Sequence, residues 1–219
     1  MDMDNNENKE NQLKHMTAVL VLAAVFIMGV YAWDARYDGM AGAAAKFTRI
    51  SPAAGTESVS IGAHWELTDH HNNKVNEGSY GDKYKLVFFG FASCPDICPT
   101  TLQKIAKTIE MLDTQGSAIQ PLFISTDPAT DTPEVLARYV TQYSPQFIGL
   151  TGTQQEIDNT LESFHAYAEK IDDGQGGYFM NHSSVVYFMS PDNKLISVFD
   201  STDSPVDMVK EIRHALPQG

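Results

Sequence analysis

The stretch Tyr84-Lys85-Leu86-Val87-Phe88-Phe89-Gly90-Phe91-Ala92-Ser93-Cys94-Pro95-Asp96-Ile97-Cys98-Pro99-Thr100-Thr101-Leu102 decides both the fold and the chemistry of this chain. Its first part, Tyr84–Phe91, is a near-continuous apolar run, as expected of a central strand buried on both faces. Its last part opens a helix predicted over Pro99–Leu112, with Ile105, Ile109 and Leu112 on one face. Two cysteines lie between, just past the strand and at the helix start. In an open α/β sheet, ligands bind at the carboxyl ends of the strands.

Strands and helices alternate outward from this stretch. A hairpin is predicted before it, Ala63–Thr68 and Val75–Tyr80, with a turn at Asp69–Asn73. After it come a buried strand Ile119–Ser125, a helix Pro133–Tyr143 capped by Thr132, a short strand Phe147–Leu150 and a helix Gln154–Tyr167. A hairpin of Ser183–Met189 and Lys194–Phe199 turns through Pro191–Asp192–Asn193. A helix Ser204–Leu216 closes the chain, with Ser204 as cap and Pro205 in its first turn. This order predicts an α/β fold with a mixed sheet, thioredoxin-like in its early strand–CxxxC–helix unit and its late hairpin.

Upstream, residues 16–33 (MTAVLVLAAVFIMGVYAW) form an uncharged apolar run near the lower length limit for a membrane-spanning helix, with Tyr31 and Trp33 at one end. The expected organisation is a short polar N-terminus (1–15), a transmembrane anchor (16–33), a linker (34–57) and a globular domain (58–219). A cleaved signal peptide and a buried core helix are the competing readings of the apolar run, the latter disfavoured by its near-terminal position and lack of a polar face. Lysines and arginines flank it on both sides, so charge does not settle its orientation. The acidic N-terminus is a poor match to a mitochondrial presequence, and a bacterial inner membrane with an exported C-terminal domain is expected instead. The net charge of −13 argues against nucleic acid as a partner.

Cys94 and Cys98 are the only cysteines in the 219 residues, too few for a disulfide scaffold. A helix N-terminus lowers a thiol pKa, so one of the pair is expected to be thiolate-like. Two soft sulfurs at i and i+4 form one side of a site for Cu(I) or Zn(II), and the same spacing permits a reversible disulfide. A metal site needs a third ligand, and seven histidines are available. His182 stands out by ending a Gly- and Asp-rich loop, Ile171–Asn181, and beginning the strand SSVVYFM. Residue chemistry alone does not choose it from the seven. Asp127 and Asp131 offer a carboxylate pair for metal or acid–base work but read better as turn and cap residues before the Pro133 helix, and Met180 is the one methionine placed beside His182.

The segment Gly90–Leu102 resembles the signature of the SCO/SenC family of copper chaperones for cytochrome c oxidase. Leu67–Val75 (LTDHHNNKV), Ser125–Leu136 (STDPATDTPEVL) and Asn181–Leu195 (NHSSVVYFMSPDNKL) are similar to that family in the same order. The resemblance implies a thioredoxin-like domain on one membrane anchor. It implies copper, as Cu(I) or Cu(II), held by Cys94, Cys98 and His182, with His182 standing where thioredoxins place a cis-proline. The implied role is binding and delivery of copper to the binuclear site of cytochrome c oxidase. The expected partners are the oxidase subunit that bears that site and a further periplasmic copper carrier. The alternative is a thiol–disulfide oxidoreductase in which Cys94 and Cys98 act as the redox pair on that subunit's cysteines. A peroxidase of the peroxiredoxin type is disfavoured, because Phe91 stands where it would need Thr. A sensor would need a partner to signal. Two positions depart from the family's usual pattern: Asn181 stands where Asp is usual, and Ala92 where Thr is common.

Overall fold

The computed structural model describes residues 61, 62, 64–172 and 174–217. The expected N-terminus, anchor and linker therefore lie outside the described residues. Among those described, no helix is long and apolar enough to cross a membrane.

The apolar run becomes strand β3 (Tyr84–Gly90), whose residues from Lys85 onward are all buried. The alternation of a strand sends Leu86 and Phe88 to one face and Val87 and Phe89 to the other, and each face carries its own apolar cluster. This is why the sequence shows no polar alternation here. Removing either phenylalanine ring would cost about 3–5 kcal/mol by the usual scale for buried aromatics.

β3 lies within a seven-stranded mixed sheet. It pairs in parallel with β4 (Ile119–Ser125), which pairs in parallel with β5 (Ile148–Thr151). The antiparallel hairpin β1 (Glu66–Asp69) and β2 (Lys74–Asn76) joins the β5 edge. On the other side of β3 come β8 (Val186–Met189) and β9 (Leu195–Phe199), both antiparallel. Helices cover both faces. α1 (Ile97–Met111), α2 (Pro133–Val140) and α4 (Pro205–Ala215) place Leu102, Ile105, Leu136, Met208 and Ile212 in the cluster with Leu86 and Phe88. α3 (Gln154–Phe164) packs Ile157, Leu161 and Phe164 against Val87 and Phe89. This is the thioredoxin-like arrangement with a mixed sheet that the sequence led us to expect.

The helix starts follow from local chemistry. Thr132 caps α2 ahead of Pro133, and its hydroxyl accepts from the Val135 N–H. Thr153 with Glu156, and Ser204 with Asp207, form reciprocal capping boxes at α3 and α4. α1 begins two residues earlier than expected, at Ile97, and so takes Cys98 into its first turn.

One element differs from the sequence reading. Ile171–Asn181, expected to be a loop, lies in a second, two-stranded sheet of β6 (Ala168–Asp172) and β7 (Tyr178–His182). His182 therefore ends a strand rather than beginning one. The two strands carry charged and polar residues on both sides and bury no continuous apolar face, so no period-two pattern marks them.

Candidate metal centre

The site forms where β3 stops. Gly90 is the last residue of the strand, and a Cβ placed on it would lie 2.7 Å from Cys98 Sγ and 2.9 Å from the Phe123 ring. Only a bare backbone leaves room for the thiol there. The chain then turns, with the Cys94 N–H donating to the Phe91 carbonyl at 3.2 Å. The first turn of α1 carries Cys98 into the core, and its N–H points at Cys94 Sγ at 3.5 Å. Cys98 is fully buried and Cys94 is half-buried; both are free thiols.

β7 delivers the third group. His182 Nε2 stands 3.6 Å from Cys98 Sγ, and the sulfur and nitrogen atoms of Cys94, Cys98 and His182 all lie within 4.8 Å of one another. The imidazole packs edge-on against Phe88 and Phe91 at centroid distances of 6.1 and 5.8 Å. Its Nδ1 is 3.0 Å from the Ser183 carbonyl, which can only accept. The proton must therefore sit on Nδ1, leaving the Nε2 lone pair facing the sulfurs. Burial pushes the His182 pKa down, opposed by the Ser183 hydrogen bond, so the ring stays neutral and able to ligate.

The surroundings of Cys98 work against thiolate character. Burial drives its thiol pKa well up, and the neighbouring Cys94 adds to that. The helix terminus does not make Cys98 thiolate-like, because desolvation of the anion in a core of Leu102, Phe88 and Phe123 outweighs it. Cys98 waits as a thiol until something replaces its proton.

The donors fit a soft metal ion. Sulfur and nitrogen ligands about 2.0–2.3 Å from a shared ion stand about 3.7–4 Å apart in a trigonal arrangement, close to the spacing present. Two thiols and one neutral imidazole, with no carboxylate among them, select Cu(I) or Zn(II) over hard cations.

The other histidines in the described part have separate duties. His70 is buried, and its Nδ1 accepts the Gly149 N–H at 2.9 Å. His64 is exposed beside Glu77, His165 ends α3 in the left-handed region at φ 50°, and His214 sits in the last turn of α4. His71 lies tilted against His70, with ring centroids 4.1 Å apart, and His15 lies outside the described residues. Met180 is half-buried against the cluster that contains Cys98.

Asp127 and Asp131 do more than shape the turn before α2. Asp131 is buried, and its Oδ2 accepts from the Ala92 N–H at 3.0 Å and the Ser125 hydroxyl at 2.6 Å. It thus holds the start of the cysteine loop. Burial raises its pKa, Ser125 and Ala92 oppose that rise, and nearby Asp127 reinforces it. Asp127 is also buried, and its Oδ2 accepts from the Thr130 hydroxyl at 2.7 Å and the Tyr178 hydroxyl at 2.6 Å. The spacing Asp-x-x-x-Asp after a buried strand was visible, but its long-range partners were not.

Comparison with known proteins agrees with this geometry. The SCO1/SenC family model matches residues 53–217. The chain is 35% identical over 156 residues to protein sco1 of Schizosaccharomyces pombe, covering 69% of this chain and 59% of that protein. It is 36% identical over 160 residues to an SCO2-like protein of Rickettsia conorii, covering 72% of this chain and 78% of that one. Among solved structures it is similar to Bradyrhizobium japonicum ScoI with copper bound, at a TM-score of 0.66 and 32% identity, covering 71% of this chain and 99% of that one. A family match over more than half of the chain, carried by a matching fold and an intact Cys94–Cys98–His182 cluster, has one meaning: this protein belongs to the SCO1/SenC family.

Proposed function

We propose that this protein carries one copper ion on Cys94, Cys98 and His182 and delivers it to the binuclear copper site of cytochrome c oxidase during assembly. The observation that carries this reading is the cluster itself: two thiols and a neutral imidazole brought within 4.8 Å at the end of β3, in a family with copper-bound members. Cys98 forms the buried side of the site, and the half-buried Cys94 and His182 form its accessible side. An acceptor thiolate can approach beside Cys94 and take the ion by ligand exchange, so the cargo is never free. Uptake displaces thiol protons, while His182 needs no deprotonation because burial already keeps it neutral. The acceptor is the oxidase subunit that bears the copper site, and a periplasmic copper carrier supplies the cargo. Residues 16–33 tether the domain to a bacterial inner membrane, on its exported face.

The second reading is a thiol–disulfide oxidoreductase, favoured by one observation. Both cysteines are free, with Cys94 accessible and Cys98 buried behind it, the arrangement of an attacking and a resolving thiol. The two readings separate on His182. The full chain in detergent is loaded with Cu(I) and with Cu(II), and stoichiometry is measured for wild type, Cys94→Ser, Cys98→Ser and His182→Ala. One copper per wild-type chain is expected, lost or greatly weakened in each variant. If His182→Ala binds no copper yet still supports oxidase assembly in cells, delivery is refuted and the redox reading stands.

A further inference from the structure

The two halves of the metal centre come from distant parts of the chain, and one short turn touches both. The cysteine loop leaves β3, while the imidazole arrives on β7, in a separate two-stranded sheet. Between β4 and α2, residues 127–131 close a turn in which the Asp127 carbonyl accepts from the Thr130 and Asp131 N–H groups at 3.1 and 3.0 Å. The Asp131 carboxylate reaches one way, to the Ala92 N–H at the start of the cysteine loop. The Asp127 carboxylate reaches the other way, to the hydroxyl of Tyr178 at the start of β7.

Strand geometry makes that second contact consequential. Tyr178, Met180 and His182 alternate on one face of β7, and that face meets the body of the domain at each of the three positions. Tyr178 donates to Asp127, Met180 packs on the cluster containing Cys98, and His182 reaches Cys98 itself. Tyr178 and His182 are about 13 Å apart along the strand, so they pin its two ends. Lys170 on β6 sits over the Tyr178 ring at 3.4 Å and restricts the ring further.

We propose that Tyr178 is a positioning residue for the metal centre: its hydrogen bond to Asp127 references the His182 strand to the same turn whose Asp131 fixes the cysteine loop, and so sets the spacing between imidazole and thiols. This rests on the three-ligand copper reading above. Tyr178 touches no metal; it acts through the placement of β7. Without its hydroxyl the strand keeps its pairing with β6, but the end remote from His182 loses its hydrogen bond to the turn at Asp127. The imidazole then samples positions away from the sulfurs, while the dithiol half of the site stays intact.

Tyr178→Phe in the full chain is the test, because it removes one oxygen and keeps the ring, its packing and the Lys170 contact. The Cu(II)-loaded protein is examined by electron paramagnetic resonance for imidazole nitrogen coupling, and copper affinity is measured by chelator competition. The metal-free protein is followed by hydrogen–deuterium exchange across residues 168–182. The variant is expected to hold one copper about tenfold more weakly, in line with the loss of an outer-shell partner. Nitrogen coupling should be heterogeneous, and exchange should be faster in β7 but unchanged in β3 and β4. Asp127→Ala breaks the same bond from its other end and the Thr130 bond besides, so Tyr178→Phe should add little to Asp127→Ala in a double-mutant cycle. Wild-type affinity, wild-type nitrogen coupling and unaltered exchange in Tyr178→Phe would overturn the proposal, as would full additivity of the two changes. If wild type itself shows no nitrogen coupling, it is the three-ligand reading that fails.

Discussion

Single atoms govern this site. The missing Cβ of Gly90 leaves the space that Cys98 Sγ occupies, and the wall facing it is the ring of Phe123 in the packed core. Gly90→Ala should therefore push the thiol off its line to His182. Overpacking of this kind costs about 1–3 kcal/mol. Urea unfolding should show that loss, and copper affinity should fall with it; unchanged affinity in a folded Gly90→Ala protein would mean that Cys98 can adapt. The titrations at the site predict a pH dependence as well. Cys98 is held as a thiol above its ordinary value of 9.0, so across neutral pH the metal must displace its proton. His182 is held neutral below its ordinary 6.5, so above that pH it contributes no proton. Apparent copper affinity should then rise at least about tenfold per pH unit between pH 6.5 and 9, one decade for each thiol proton displaced. A flat profile from chelator competition over that range would show that the sulfur ligands are already thiolates.

At the scale of elements, legibility tracked burial. β3 and β4 are readable as strands because both faces are covered, and a short, largely apolar run between turn signals has few other uses. α2 and α4 were readable at their starts because Thr132-Pro133 and Ser204-Pro205 state the cap in adjacent residues. The β6–β7 hairpin was not readable. Apolar and polar residues do not sort to its two faces: Phe179 is exposed, while the polar His182 lies on the face of β7 that meets the domain. This segment holds the strand that presents His182. The ligand set was legible only in part. The cysteines announced themselves by spacing and by the strand before them. His182 could be chosen from seven histidines only through resemblance, since what distinguishes it, a sulfur 3.6 Å away across 84 residues, exists only in three dimensions. Asp131 is the same case: a buried carboxylate bonded to an N–H 39 residues earlier leaves no local trace.

The described domain has a central sheet clad in helices and an outlying hairpin, and the metal centre lies between those two parts. Cys94 and Cys98 belong to the sheet side and His182 to the hairpin. A bound ion would be a cross-link between them that the unfolded chain cannot form with the same three ligands. Loading should therefore raise the stability of the entire fold. Free metal at a hundred times its dissociation constant adds about 2.7 kcal/mol by mass action. For a domain of this size that corresponds to an upward shift of about 5–10 °C in Tm. The three parts of the site should separate in the size of the shift. Cys98→Ser should lose it, because no buried sulfur remains. His182→Ala should retain a small fraction, because two thiols still bind but no longer join hairpin to sheet. Thermal melts of metal-free and copper-loaded chains, followed by circular dichroism, measure this directly. An equal shift in wild type and His182→Ala would mean that the hairpin contributes no ligand, and that the redox pair alone accounts for the site.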